Sequence, residues 1–298
     1  MTPPEHTDDV HELLLAQTDR ATTGALTDPA VVAAVVAVER LVVATGSTDA
    51  HVLRDALLGR PVPGSDEAQV AELLAEGRSH VAAGLIRRAT GQAVDAGVVN
   101  PASGGYEITT DATLLRAAVR AAQGSINAMP YYGARYGARG SRFATTDSAW
   151  LLSLAGLSAE RAIQQVEWLS RVLAARGMPT WLLEIHLDAL VSEVQSVAGE
   201  HAVGSLPVGA AALAGTRRQH VDDDLMRSAD LWADAALGDA LPVPHTGALL
   251  AAAIADERAG VTRDDSSLVD WLTDPERVSA STAAAVRAVR QRILDEAR

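Results

Sequence analysis

Apolar residues recur along almost the whole chain at spacings of three and four, and no run alternates convincingly with period two. That spacing commits the chain to helices, and breakers and caps divide them. It predicts a short helix over residues 10–19. A second begins at Asp28-Pro29, a cap followed by a first-turn proline, and runs to about residue 43. A third covers residues 48–58. Ser65 is read as the cap of the next, with Asp66 and Glu67 in its first turn, and Val70, Leu73, Leu74 and Val81 carry its apolar face to about residue 89. Residues 91–110 read as a long loop with a short extended hairpin. Asp111 caps a helix to about residue 128, and residues 130–146 read as irregular. Asp147 then caps residues 148–155. Ser158 caps a strong helix over residues 159–176, with the stripe Ile163, Val166, Leu169, Val172 and Leu173. Further helices are expected from Thr180, with Leu183, Leu187, Leu190, Val191 and Val194 as stripe, and over residues 222–237, 246–258, 266–272 and 281–297. The breaks at residues 61–64 and 242–244 suggest an N-terminal helical segment (1–64), a central helical domain (65–237) and a C-terminal helical segment (238–298).

Composition narrows the chemistry. All 25 basic residues are arginine and cysteine is absent. Without lysine there is no Schiff base and no phosphate-loop lysine; without cysteine there is no thiol nucleophile, disulfide or thiolate-held metal. Only 3% of residues are aromatic, so the core of a 298-residue chain must come from Leu, Val, Ala and Ile. A formal charge of −13 disfavours nucleic-acid partners, which need a basic surface. The most apolar run, residues 30–38, is broken by Glu39 and Arg40, far short of the ~20 residues a membrane span needs. Residues 1–9 are polar and acidic, with no basic region ahead of an apolar one. The expected setting is soluble and cytoplasmic, without membrane or nucleic acid.

No catalytic signature stands out. Glu72, Glu76 and His80 share one helix face at i, i+4 and i+8; that is either a solvated face or a carboxylate–imidazole metal set. His220 with Asp222, Asp223 and Asp224 reads as an acidic helix start rather than a metal cluster. His186 flanks an apolar stripe, as a half-buried structural histidine or a ligand contact. The most unusual stretch is residues 130–143, with three arginines, three of the four tyrosines, the single phenylalanine and no acid. Tyr131, Tyr132, Arg135, Tyr136, Arg139 and Arg142 offer amphipathic contact area and bidentate donors, for a recognition surface or for a corner clamped onto carboxylates. Trp150, just beyond, is a further contact candidate.

The run Tyr-Tyr-Gly-Ala-Arg-Tyr-Gly-Ala-Arg-Gly (131–140) with Asp147-Ser-Ala-Trp-Leu151, and residues 166–178 followed by residues 182–190, resemble bacterial haem-free globin-like sensor domains over about residues 66–236. Such modules occur in stress-signalling proteins and ahead of cobalamin-binding domains in regulators. The resemblance implies a globin-like centre with additional N- and C-terminal helices. It also implies no haem, because Leu173 stands where haem-binding relatives place the histidine ligand. No βαβ alternation follows residue 237, so the cobalamin-binding half is not recognisable.

The expectation is therefore a non-enzymatic sensor or interaction protein that takes a small amphipathic ligand or a protein partner, a like subunit included. The alternatives are a metal- or cofactor-dependent helical-bundle enzyme using Glu72, Glu76, His80 and His186 or His201, and a structural adaptor or cargo of an assembly.

Overall fold

The computed structural model describes residues 5–263 and 265–297; the first four residues of the polar opening lie outside them. The described chain is all-α: 73% is helical and no strand forms. In chain order the helices are α1 Glu5–Gln17, α2 Pro29–Thr45, α3 Ala50–Leu57, α4 Glu67–Ala89, α5 Ala96–Val99, α6 Ala112–Ala128 and α7 Pro130–Ser153. They continue as α8 Ala159–Ala174, α9 Thr180–Ala198, α10 Leu206–Arg218, α11 Asp223–Leu237, α12 Thr246–Arg258, α13 Ser266–Leu272 and α14 Ala280–Glu296.

Local chemistry accounts for most of the boundaries. Asp28 accepts from the Ala30 amide at 2.9 Å, Pro29 occupies the first turn, and Gly46 closes α2 with φ 63°. Asp111, Ser158 and Asp222 likewise accept from first-turn amides of α6, α8 and α11. Four expectations are corrected. Asp66, not Ser65, caps α4: its carboxylate takes the Ala68 and Gln69 amides, while Ser65 Oγ donates back to Val62. Residues 91–110 form no hairpin; they hold the one-turn α5, and the single bridge nearby joins Ala25 to Asp111. Residues 130–146 are helical on either side of a kink at Gly137 and belong to α7, and Asp147 lies inside it beside Tyr106 rather than capping a new helix. Lastly, α10 was not expected at all.

Packing divides the chain into two compact units that do not follow chain order. The first comprises residues up to Gly124 with Ala138–Ala155 and Leu190–Val203. Its centre is α2, buried at Val32, Ala34, Val35, Val38 and Leu41, against α4. A Cβ on Gly84 of α4 would fall 2.7 Å from the Ala30 Cα, so the two helices meet backbone to backbone. Glu39, buried on the same helix, is matched by Arg120 at 2.6 Å and Arg20 at 3.2 Å.

The second unit comprises Ser125–Gly137, Gly156–Ala189 and everything from Gly204 onward. Its core surrounds α12, whose residues from Thr246 to Asp256 are all buried. Met226 and Ala229 of α11, Leu268 and Leu272 of α13, and Val286 and Ile293 of α14 pack around it. Among the described residues no single helix is long and apolar enough to cross a membrane.

Candidate functional site

The arginine- and tyrosine-rich stretch reads differently once it is helical. Positions four apart share a face, so Tyr131 stands over Arg135 and Tyr132 over Tyr136. The helix breaks only at Gly137 (φ 54°, ψ −151°), a conformation that glycine tolerates and residues with a Cβ do not. Tyr131 is wholly buried; its hydroxyl donates to the Gly177 carbonyl and accepts from Arg135 Nη1. Burial pushes its phenol pKa up, which keeps it a donor. Tyr136 donates to the neighbouring Arg176 carbonyl at 3.0 Å, so both tyrosines tie α7 to the turn after α8.

Arg135 is the centre of this arrangement. Its Nη1 donates to the Gly177 carbonyl at 3.2 Å and its Nη2 to Ser267 Oγ at 2.8 Å. Its guanidinium carbon lies 5.4 Å from the Tyr136 ring centre, 5.8 Å from Tyr131 and 5.9 Å from Trp271. Such distances give an attraction of about 0.5–1 kcal/mol per ring where water has access. Tyr131 and Trp271 meet edge to face at 5.1 Å, which fixes the Trp271 ring. Gly177 cannot be replaced without disturbance: its φ is 78°, and a Cβ there would lie 2.6 Å from Arg135 Nη1 and 2.7 Å from Ser267 Oγ.

Beside Arg135 the surface opens into a groove of about 600 Å³ lined by Ser267, Asp270, Trp271, Asp274, Pro275 and Arg287 among others. Arg277 stacks on Trp271 with its guanidinium carbon 3.8 Å from the ring centre. Elsewhere in the same unit Arg217 is paired with Glu184 at 3.0 Å and Arg290 with Asp265 at 2.6 Å. Arg135 forms no ion pair among the described residues: its partners are a phenol, a carbonyl and a hydroxyl, and they use three of its five N–H groups. Arg287 donates to Thr273 Oγ1 at 3.3 Å and forms no ion pair among the described residues. The groove therefore brings two arginines that form no ion pair among the described residues beside an indole ring, with the carboxylates of Asp270 and Asp274 on the same lining.

The other expected residues are dispersed. Arg139 is exposed, over the Phe143 ring at 5.7 Å. Arg142 pairs with Glu76 at 3.7 Å in the first unit, where Arg40 holds the same carboxylate at 2.7 Å and His80 sits at 3.9 Å. Glu72 is exposed, and among the described residues no three His, Asp or Glu side chains are placed to hold a metal ion. Trp150 is half-buried on α7. His186 is buried, with Nδ1 2.9 Å from Ser125 Oγ, and burial lowers its pKa to about 4, so it is neutral near pH 7. Leu173 packs at the margin of the second unit's core. His201 is exposed. Asp222 caps α11, while Asp223 pairs with Arg217 and Arg218, and Asp224 with Arg227.

Sequence reasoning found Arg135 and its tyrosines but missed Gly177, Ser267, Trp271 and Arg287. Each lies more than forty positions away along the chain, and no short-range pattern links them. The chain matches no family model, no curated protein and no solved structure.

Proposed function

We propose that the protein is a non-enzymatic binding protein whose recognition site is the groove beside Arg135 and Trp271, and that it takes an amphipathic carboxylate. The observation that carries this reading is Arg135 itself: a partly buried cation held in place by neutral groups and rings, with N–H groups to spare. A carboxylate docked there gains charge-assisted hydrogen bonds, while Trp271 and Pro275 offer apolar surface to the rest of the molecule. No histidine and no nucleophile–base pair lines the groove, which speaks for binding rather than turnover. The resemblance of residues 66–236 to haem-free globin-like sensor modules supports a sensing role, with ligand occupancy shifting how helices pack. A carboxylate side chain on a partner protein or a like subunit would engage the same groups.

Titration calorimetry with phenylacetate and octanoate tests the proposal. One saturable site per chain is expected, weakened at least tenfold in Arg287→Ala, whose side chain makes no ion pair among the described residues. Binding that is absent, or that is unchanged in Arg287→Ala, rejects the groove as the site.

A further inference from the structure

A second cavity in the same unit has the opposite character. It measures about 170 Å³ and is lined by Glu167, Ser170 and Arg171 of α8, Thr180 of α9, Thr216 and Arg217 of α10, and Asp256 near the end of α12. Arg171 and Gly260, both exposed, mark its rim. Asp256 is 4% exposed and sits on the most enclosed helix of the molecule. Its Oδ2 accepts from the Thr180 amide at 2.7 Å. Thr180 Oγ1, also buried, lies near the same carboxylate without a hydrogen bond of normal geometry. Among the described residues no arginine forms an ion pair with Asp256. Arg217, the nearest cation, is spent on Glu184 at 3.0 Å, on Asp223 at 2.9 Å and on the Val221 carbonyl.

A carboxylate that is buried, sparsely hydrogen-bonded and unpaired is costly to ionise. Burial accordingly raises its pKa to about 7. The fold stabilises its other buried acids, Glu39, Glu184 and Asp265, with arginine, and leaves this one facing an open space. A cation entering from outside would complete the pair.

We infer that this cavity is a binding site for a small organic molecule carrying a primary ammonium group, which Asp256 and Thr180 Oγ1 would receive. A metal ion is a poorer fit, because hard cations take six or more oxygen ligands and no group of three metal-capable side chains gathers here or elsewhere among the described residues. The volume restricts the ligand to a few heavy atoms, well below the ~300–1,000 Å³ of drug-sized pockets. At the rim Arg171, with no ion pair among the described residues, is placed for a carboxylate at the ligand's other end. The same ammonium chemistry thus serves a simple amine or a small amino acid. The site is separate from the groove at Arg135 and does not depend on that reading.

Calorimetry at pH 8 with ethylammonium and with β-alanine decides the matter. Ethylammonium is expected to bind one site per chain and to weaken more than tenfold at pH 5, where Asp256 is protonated; Glu167, Arg171, Glu184 and Arg217 are the charged groups around it, and because burial also raises the Glu184 pKa, Asp256→Asn separates the two carboxylates. Asp256→Asn should abolish binding. Ala259→Leu, which narrows the cavity and leaves the carboxylate intact, should weaken it more than tenfold. β-Alanine binding more tightly than ethylammonium, with the advantage lost in Arg171→Ala, identifies an amino acid as the ligand type; equal affinities identify a simple amine. Absence of saturable binding by both probes to the folded wild type overturns the inference, as does undiminished binding by Asp256→Asn or by Ala259→Leu.

Discussion

Arg135 occupies the space that a side chain at residue 177 would need: a Cβ on Gly177 would stand 2.6 Å from Arg135 Nη1. Because φ at Gly177 is also 78°, Gly177→Ala meets two penalties at once, backbone strain and displacement of the guanidinium. The expected loss of stability is about 1–3 kcal/mol. Groove binding should fall with it, since Arg135 must leave Ser267. Denaturant unfolding and calorimetry on the same variant check both. A variant as stable as wild type would mean that the turn relaxes freely.

That relationship also marks what can be read along the chain and what cannot. Helices such as α2 and α6 were legible because their signals are local: Asp28-Pro29 and Asp111 cap the residues that follow. Helix α10 was not, because its sequence, LPVGAAALAGTRR, carries two glycines, and its first-turn Pro207 comes without a capping side chain. Ser205 at its start caps nothing and instead donates to the Leu157 carbonyl at 2.6 Å, and Gly209 lets α10 close on Val166 of α8. Packing holds that helix against its weak propensity. In residues 130–146 the glycines argued for a corner; Gly137 does kink the segment, while burial of Tyr131 and the clasp on residues 176–177 hold the part before it helical. Asp256 left one faint trace, an acid at the end of an alanine-rich run, next to Glu257. Its partner Thr180 lies 76 positions away, so the pairing is a property of the fold alone.

The Arg217–Glu184 pair tests how the second unit tolerates a broken ion pair. Both side chains are nearly enclosed, 5% and 8% exposed, and Glu184 accepts from both Nε and Nη2 of Arg217. Burial raises the Glu184 pKa despite Arg217, so desolvation outweighs the attraction. Glu184→Ala leaves the arginine with Asp223 and the Val221 carbonyl, and a loss of about 3–5 kcal/mol is expected from equilibrium unfolding. Replacing both residues with leucine should recover most of it. A single variant losing less than about 1 kcal/mol, the scale of an exposed pair, would contradict this account.

Asp256 and His186 bend the pH dependence of stability in opposite directions. Asp256 has a folded pKa near 7 against 3.8 ordinarily, so its contribution is full below 3.8 and lost as pH rises through 7. His186 has a folded pKa near 4 against 6.5, so its contribution is full above 6.5 and lost as pH falls through 4. Asp256→Asn should therefore raise the melting temperature at pH 8 and change it little at pH 4. His186→Gln should flatten the acid limb between pH 6.5 and 4 while leaving the shape of the alkaline limb alone. Parallel pH–melting curves for wild type and Asp256→Asn would show that the carboxyl titrates normally.

The three arginines of the unusual segment now separate into different tasks, and association can be assigned among them. Arg135 is held within the second unit by Tyr131, Gly177 and Ser267. Arg142 faces Glu76 at 3.7 Å, but Arg40 already serves that carboxylate at 2.7 Å, so Arg142→Ala should cost about 1 kcal/mol or less. Arg139 is the exposed member, and its one ring contact is with Phe143, four residues on. If the chain associates with a like subunit, which supplies abundant carboxylates at a net charge of −13, Arg139 is the residue able to reach them. Arg139→Ala is expected to leave the melting temperature nearly unchanged, as surface substitutions within about 0.5 kcal/mol do. In the same variant, sedimentation should show the association constant falling several-fold and losing its dependence on salt. A large drop in melting temperature with association intact would assign Arg139 to the fold instead, and the contact would have to be sought on another face.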